Sequence, residues 1–296
     1  MNFMKFRKVT YILSLTVFIF SLTSIFFLKG FNFGIDFTGG VLIQVKFYKT
    51  VSENQIRDAL SSENTGNIVI QRIGQPKENI FIIKSKIISE NTETLNWIQE
   101  NLITHFEKDS IQLPFQKSEL VGPAIGKDLR NLAYLLIVIS LIAILIYISV
   151  RFQFKFAIAA IVALVHDVIF TLGIFSFFEK EINIPIVAAV LTIIGYSLND
   201  TIVVFDRIRE NMKIMHGQAF DTIINISIKT TLNRTIITSL TTLLAVLSLY
   251  LWGGTVIHDF AFAFLIGILV GTYSSIFVAS PVLYDWWKIG SKNRKK

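Results

Sequence analysis

Six long apolar runs divide the chain, at about Val9–Leu28, Leu132–Val150, Phe156–Phe178, Pro185–Phe205, Thr235–Leu251 and Phe260–Ser280. A helix rises about 1.5 Å per residue, so about 20 apolar residues cross a hydrocarbon core of ~30 Å. Each run is long enough, Thr235–Leu251 only just. A cleavable signal peptide is the rival reading of the first run, but that run is long and no Ala-x-Ala-type site follows it.

Between the first and second runs the pattern is that of a water-soluble domain. Val41–Tyr48, Asn67–Ile73 and Asn79–Lys84 are rich in β-formers, and Gly74-Gln-Pro76 marks a turn between the last two. Ser52-Glu-Asn-Gln55 has the capping-box pattern, with Ile56, Ala59 and Leu60 on one helical face. Thr92–Lys108 reads as a helix carrying Leu95, Ile98, Leu102 and Phe106 on one side. Ile111–Val121 reads as a last strand, with Pro114 at an edge or bulge. The order β-α-β-β-α-β is the split βαβ, or ferredoxin-like, arrangement. The expected fold is therefore an α-helical polytopic membrane protein with six transmembrane helices and one exported α+β domain between helices 1 and 2. Its expected divisions are 1–28, 29–128, 129–283 with an amphipathic loop at 206–234, and a basic tail at 284–296. Within that loop Phe220, Ile223, Ile224, Ile228 and Leu232 recur at helical spacing, which predicts a surface helix against the membrane or a partner.

Composition and charge add topology. The 296 residues are 52% hydrophobic and 17% charged, with 26 Phe and no Cys. That fits an integral membrane protein and excludes disulfides, thiolate metal sites and Cys nucleophiles. The net charge of +7 does not point to nucleic acid, because Lys29–Asp128 is nearly balanced, with 11 basic and 12 acidic residues. The surplus lies beside the apolar runs. Met1–Lys8, Arg151/Lys155, Arg207–Arg234 and Lys288–Lys296 fall on one face and hold 15 of the 28 basic residues, whereas the short loops of the other face hold Lys180 alone. Both termini are thus expected to be cytoplasmic, with the large loop exported, periplasmic in a bacterium.

Candidate chemistry lies where ionisable groups enter these runs. A carboxylate at membrane depth costs a few kcal/mol or more and usually faces a bundle interior or a water path. Asp200 lies about 15 residues from Pro185, roughly 22 Å along the helix and still inside the hydrocarbon. Tyr196, Asn199 and Arg207 share its predicted side. Arg234 heads the fifth run, with Thr238, Thr241 and Ala245 continuing its face. It either looks into that polar groove or snorkels to the interface. His166-Asp167, with Thr171 one turn on, is either part of an ion path or a structural polar cluster. Asp206, Arg207 and Arg209 read as interfacial anchors. In the last run Ala263, Gly267, Gly271, Ser275 and Ala279 recur every fourth residue, which permits close helix packing. Enzyme chemistry finds little support: there is no P-loop and no His-Glu-x-x-His, and the glycines of Phe33-Gly-Ile-Asp-Phe-Thr-Gly-Gly40 do not lead from a strand into a helix. They form a constrained turn.

Several segments together resemble one family. Phe33–Gly40 resembles the Gly-x-Asp-Phe-x-Gly-Gly signature that follows the first span of SecF, with Gly34, Asp36, Gly39 and Gly40 at its fixed positions. Val165–Ile169, Gly195–Asn211 and Asn233–Ser239 resemble the family's third-, fourth- and fifth-span motifs. The resemblance covers nearly the whole chain. It implies a subunit of the SecDF complex, related to the RND superfamily, that pairs with SecD and assists SecYEG, with YajC or YidC as further candidate partners. It implies that the proton-motive force drives export of unfolded secretory polypeptide, without a cofactor or metal. It implies that Asp200 carries the proton and Arg234 is its partner; the helical faces read above offer Asn199, Tyr196, Asp167, His166 and Thr238 as polar support. The expected location is the bacterial inner membrane. Two other readings stay open: half of an RND-type exporter of lipids or small molecules, and a non-transducing polypeptide-binding assembly factor.

Overall fold

The computed structural model describes residues 2–61, 68–73, 76–85, 93–106 and 108–293. Gly74 and Gln75 of the expected turn, and the last three residues of the tail, lie outside them. In chain order the helices and strands are α1 (Arg7–Thr23), β1 (Asn32–Phe33), α2 (Ile35–Thr38), β2 (Gly40–Lys46), α3 (Glu53–Ala59), β3 (Ile68–Ile73), β4 (Ile80–Ser85), α4 (Glu93–Phe106), β5 (Lys117–Val121), α5 (Pro123–Arg151), α6 (Phe154–Phe177), β6 (Glu181–Ile182), α7 (Ile184–Ile214), α8 (Phe220–Trp252), α9 (Gly254–Ser274) and α10 (Ser280–Asn293). Among the described residues six helices are long and apolar enough to cross a membrane: Phe3–Leu28, α5, α6, α7, α8 and Ile257–Ile289.

The chain forms two compact units, one of Met1–Asn32, Leu136–Lys180 and Pro185–Lys296, the other of Phe33–Leu135 and Glu181–Ile184. The second unit is the α+β domain. Its sheet has the order β3-β4-β2-β5, and all three of its pairings are antiparallel. The order of elements and strands is that of the split βαβ arrangement. Alternation places Val41, Ile43 and Val45 of β2 on the same buried face as Phe81 and Ile83 of β4. Ile56 and Leu60 from the α3 segment and Ile98 and Leu102 from α4 close the core over that face. Ser52 caps α3, and the reciprocal bonds with Gln55 complete the capping box. The last strand is shorter than expected. Ile111 forms only a bridge to Phe47, and the ladder begins at Lys117. Pro114 lies between them with a cis Leu113–Pro114 bond and has no N–H to give to a ladder. The domain also extends past the expected residues 29–128, because β6 joins the residues around Phe33 and Gly34 in a two-stranded ribbon, with Gly34 N–H donating to Ile182 O at 2.8 Å.

The membrane unit is built around α6. Ala157, Ala159, Ala160 and Ala163 are all fully buried on it, as are Thr171 and Phe175. Small residues let the neighbours approach: a Cβ on Gly173 would lie 2.3 Å from Ser21 Cβ, and Ser24 Oγ donates to Ser176 Oγ at 3.0 Å. By contrast α5 exposes Leu132, Leu135, Ile139, Ile142 and Ile146, the surface a helix presents to lipid.

One expectation is corrected here. The amphipathic loop 206–234 is mostly spanning-helix continuation: α7 runs on to Ile214, α8 starts at Phe220, and only Met215–Ala219 separate them. Ile224 and Ile228 of the apolar stripe are buried in the same core as Phe205 and Ile208, and Ile223 is buried beside them in sequence, so the stripe packs against protein and does not lie on a membrane surface. Polar bonds fix that register. Asn211 Nδ2 donates to Ser227 Oγ at 2.8 Å, and Met4 N–H donates to Asn225 Oδ1 at 3.0 Å.

Candidate functional site: two intramembrane carboxylates

The last span is brought against α7 by its small residues. A Cβ on Gly267 would lie 2.3 Å from Ile193 Cγ1, and one on Gly271 would lie 2.9 Å from Ser197 Cβ. Ala263, Ser275 and Ala279 of the same stripe are fully buried. This close approach carries Thr272 and Ser274 to two carboxylates. A π turn follows at once, over Ser275–Ala279, where Ser280 Oγ donates to Ser275 O at 3.0 Å.

Asp167 on α6 is fully buried and saturated. Its Oδ2 accepts from Ser197 Oγ of α7 at 2.6 Å and from Ser274 Oγ of α9 at 2.7 Å. Its Oδ1 lies 3.0 Å from His166 Nδ1, which donates in the Nδ1–H tautomer. Thr171 Oγ1 donates to the Asp167 carbonyl at 2.9 Å, as a helical threonine commonly does four residues on. His166 Nε2 is buried and has no hydrogen-bond partner among the described residues. It borders a groove of about 510 Å³ lined mainly by apolar side chains of α1, α6 and α9, with Ser14 and Tyr273 among them.

Asp200 on α7 is 2% exposed but held differently. Among the described residues only its Oδ2 accepts hydrogen bonds, from Ser239 Oγ of α8 at 3.2 Å and from Thr272 Oγ1 of α9 at 3.5 Å. Those two hydroxyls lie 2.8 Å apart, and Thr272 also reaches its own helix at Ile268 O, 2.8 Å away. A contact of 3.5 Å is at the outer limit of a hydrogen bond. The two carboxylates are thus one tight three-helix junction and one loosely held acid.

The remaining candidates divide. Tyr196 is half-buried, and its hydroxyl donates to Thr238 O of α8 at 3.2 Å. Thr238 Oγ1 turns back to Arg234 O at 3.0 Å. Asn199 does not share the Asp200 side: it is exposed, one residue and about 100° round the helix. Arg207 donates to Thr230 Oγ1 at 3.2 Å and pairs with Glu210 at 2.7 Å. Arg234 is exposed and, among the described residues, forms no ion pair. Periodicity explains this. Ser239 faces Asp200, and five residues separate Ser239 from Arg234, a rotation of about 140°. Ser197, Ser239, Thr272 and Ser274 were not read from the sequence as site residues. The one available signal was the nearness of Thr272 and Ser274 to the small-residue stripe.

In the motif turn Gly39 has φ +77°, and a Cβ on Gly40 would lie 2.7 Å from Ser85 O. Asp36 Oδ2 accepts from Ile184 N–H at 3.0 Å.

The family described as protein export membrane protein SecD/SecF, C-terminal, matches residues 99–289, and the SecD/SecF GG motif matches residues 24–51. The protein translocase subunit SecF of Desulfurispirillum indicum is 47% identical over 265 residues, which cover 87% of this chain and 83% of that protein. The SecF of Vibrio alginolyticus is 44% identical over 285 residues, 95% of this chain and 88% of that one. The crystal structure of SecDF from Thermus thermophilus, described as a translocon-associated membrane protein, matches with a TM-score of 0.83 at 38% identity. The match covers 97% of this chain, which spans 39% of that longer one. The fold, the motif turn and the relatives agree: the chain belongs to the SecF family of protein translocase subunits.

Proposed function

We propose that this chain works with a SecD partner to drive export of unfolded polypeptide through a SecYEG channel at the expense of the proton-motive force, with YajC or YidC as accessory partners. The observation that carries the proposal is the holding of Asp200. It is a buried carboxylate with one bonded oxygen and only long contacts, between three helices that need not break a tight network when its charge changes. Protonation removes that charge and lets α7 repack against α8 and α9. Arg234, exposed on α8 and without an ion pair among the described residues, is suited to a carboxylate or carbonyl of the partner. The small share of the longer SecDF chain that this one spans supports a half-unit that needs such a partner. The charge pattern favours both termini in the cytoplasm of a bacterial inner membrane, with the α+β domain on the far side. One proton moving down 100 mV releases ~2.3 kcal/mol, which biases a two-state element by tens of fold.

Cells carrying Asp200→Asn as their sole copy are expected to lose proton-dependent export while the protein still co-purifies with its partner. Normal export by that variant would refute the proposal.

A further inference from the structure

The turn Gly34–Gly40 takes no part in the carboxylate chemistry, yet it is held on both flanks by contacts to the first residues of long helices. On one flank Asp36 Oδ2 accepts the Ile184 N–H, the first of α7, at 3.0 Å. Helix N-termini leave N–H groups unsatisfied, and a carboxylate there also meets the positive end of the dipole. Pro185 next in line has no N–H to donate. Asp36 is therefore a cap supplied to α7 from a distant part of the chain. Gly34 N–H binds Ile182 O, and a Cβ on Gly34 would lie 3.3 Å from that same oxygen. From β4, Lys84 pairs with Glu181, both side chains being mostly buried. On the other flank a Cβ on Gly39 would lie 2.9 Å from Pro123 Cα, the start of α5. One on Gly126 would lie 2.9 Å from Gly39 N.

We infer that this turn is a coupling clasp: the Asp36–Ile184 cap and the Lys84–Glu181 pair bind the Ile184 end of α7 to the sheet of the α+β domain, so that a displacement of α7 is delivered to that domain. The helix is continuous for 31 residues, and Asp200 lies within it about 24 Å from Ile184. The β1–β6 ribbon already holds the segment just before α7, and the cap and the ion pair add two further holds at the same end. The inference rests on the reading of Asp200 as the group that moves α7.

The test uses the full chain with its partner in proton-tight vesicles, reading export and proton flux together. Asp36→Ala is expected to lower export about tenfold, the effect of losing a strong N-cap. Proton flux is expected to stay near the wild-type level, because the Asp200 site is untouched. A general loss of structure would lower both. Asp36→Asn keeps an oxygen acceptor and is expected to restore export. Lys84→Glu and Glu181→Lys should each uncouple, and the double reversal should recover export. Wild-type export in Asp36→Ala and in both single reversals, or parallel loss of flux and export with no rescue by Asn or by the double reversal, would overturn the clasp. Asp200→Asn is run beside them. If it is defective while the clasp variants are normal, the clasp alone fails; if it exports normally, the reading of Asp200 fails.

Discussion

Replacing Asp167 with alanine removes the acceptor on which three donors from three helices converge. Ser197 and Ser274 approach at 2.6 and 2.7 Å and His166 at 3.0 Å. Hydrogen bonds between membrane helices average about 0.6 kcal/mol and reach about 1.7 kcal/mol. Two of the three bonds join different helices and give about 1 kcal/mol from the mean; their shortness at a carboxylate and the added bond from His166 on the same helix push the sum higher. Ser274 has a fallback at Gly271 O, 3.2 Å away, which limits the loss. The expected destabilisation is therefore about 2–4 kcal/mol. Asp200→Ala removes one contact of 3.2 Å and one of 3.5 Å, so it should cost less than about 1 kcal/mol. Denaturant unfolding in mixed micelles, followed by Trp fluorescence, measures both. A gap of more than about 1 kcal/mol in that order fits the division into a structural junction and a loosely held acid. Equal losses, or a larger loss for Asp200→Ala, would refute it.

Other perturbations have equally definite outcomes. Gly173→Val places atoms against the Ser21 backbone, 2.7 Å from a built Cβ, and should separate α1 from α6, seen as a loss of thermal stability in detergent. Gly267→Leu meets Ile193 and should draw Thr272 away from Asp200, lowering export in cells while the protein still inserts. Ser52→Ala removes the capping box of α3 and should cost about 1 kcal/mol, read as faster amide exchange over Glu53–Ala59 in the full-length protein.

Much of the architecture was legible because burial has a period. Alternation in Val41–Val45 and the three-and-four spacing of Leu95, Ile98 and Leu102 mark faces that only one kind of element can bury. Span ends were less legible, since a helix continues past the apolar run wherever polar partners await it. Phe220–Leu232 shows the limit. Its apolar stripe is the same whether it meets lipid or protein, and only the Asn211–Ser227 and Met4–Asn225 bonds, which join distant segments, decide between them. The carboxylates stood out because charge in an apolar run is costly. Their partners did not, because serine and threonine in a membrane helix can bond their own backbone and need no other reason to be there. Arg234 was read as the counter-charge of Asp200; its charge acts on that carboxylate, but among the described residues it forms no ion pair with it.

The central claim is that Asp200 is the group through which proton movement is tied to export. Its most direct test is proton entry into vesicles that contain the chain, its partner and an exporting channel, followed with an internal pH dye while a secretory polypeptide is translocated. Wild-type vesicles are expected to acidify in step with translocation, and Asp200→Asn vesicles to show neither the added flux nor the stimulated export. Wild-type flux and export with Asp200→Asn would contradict the account.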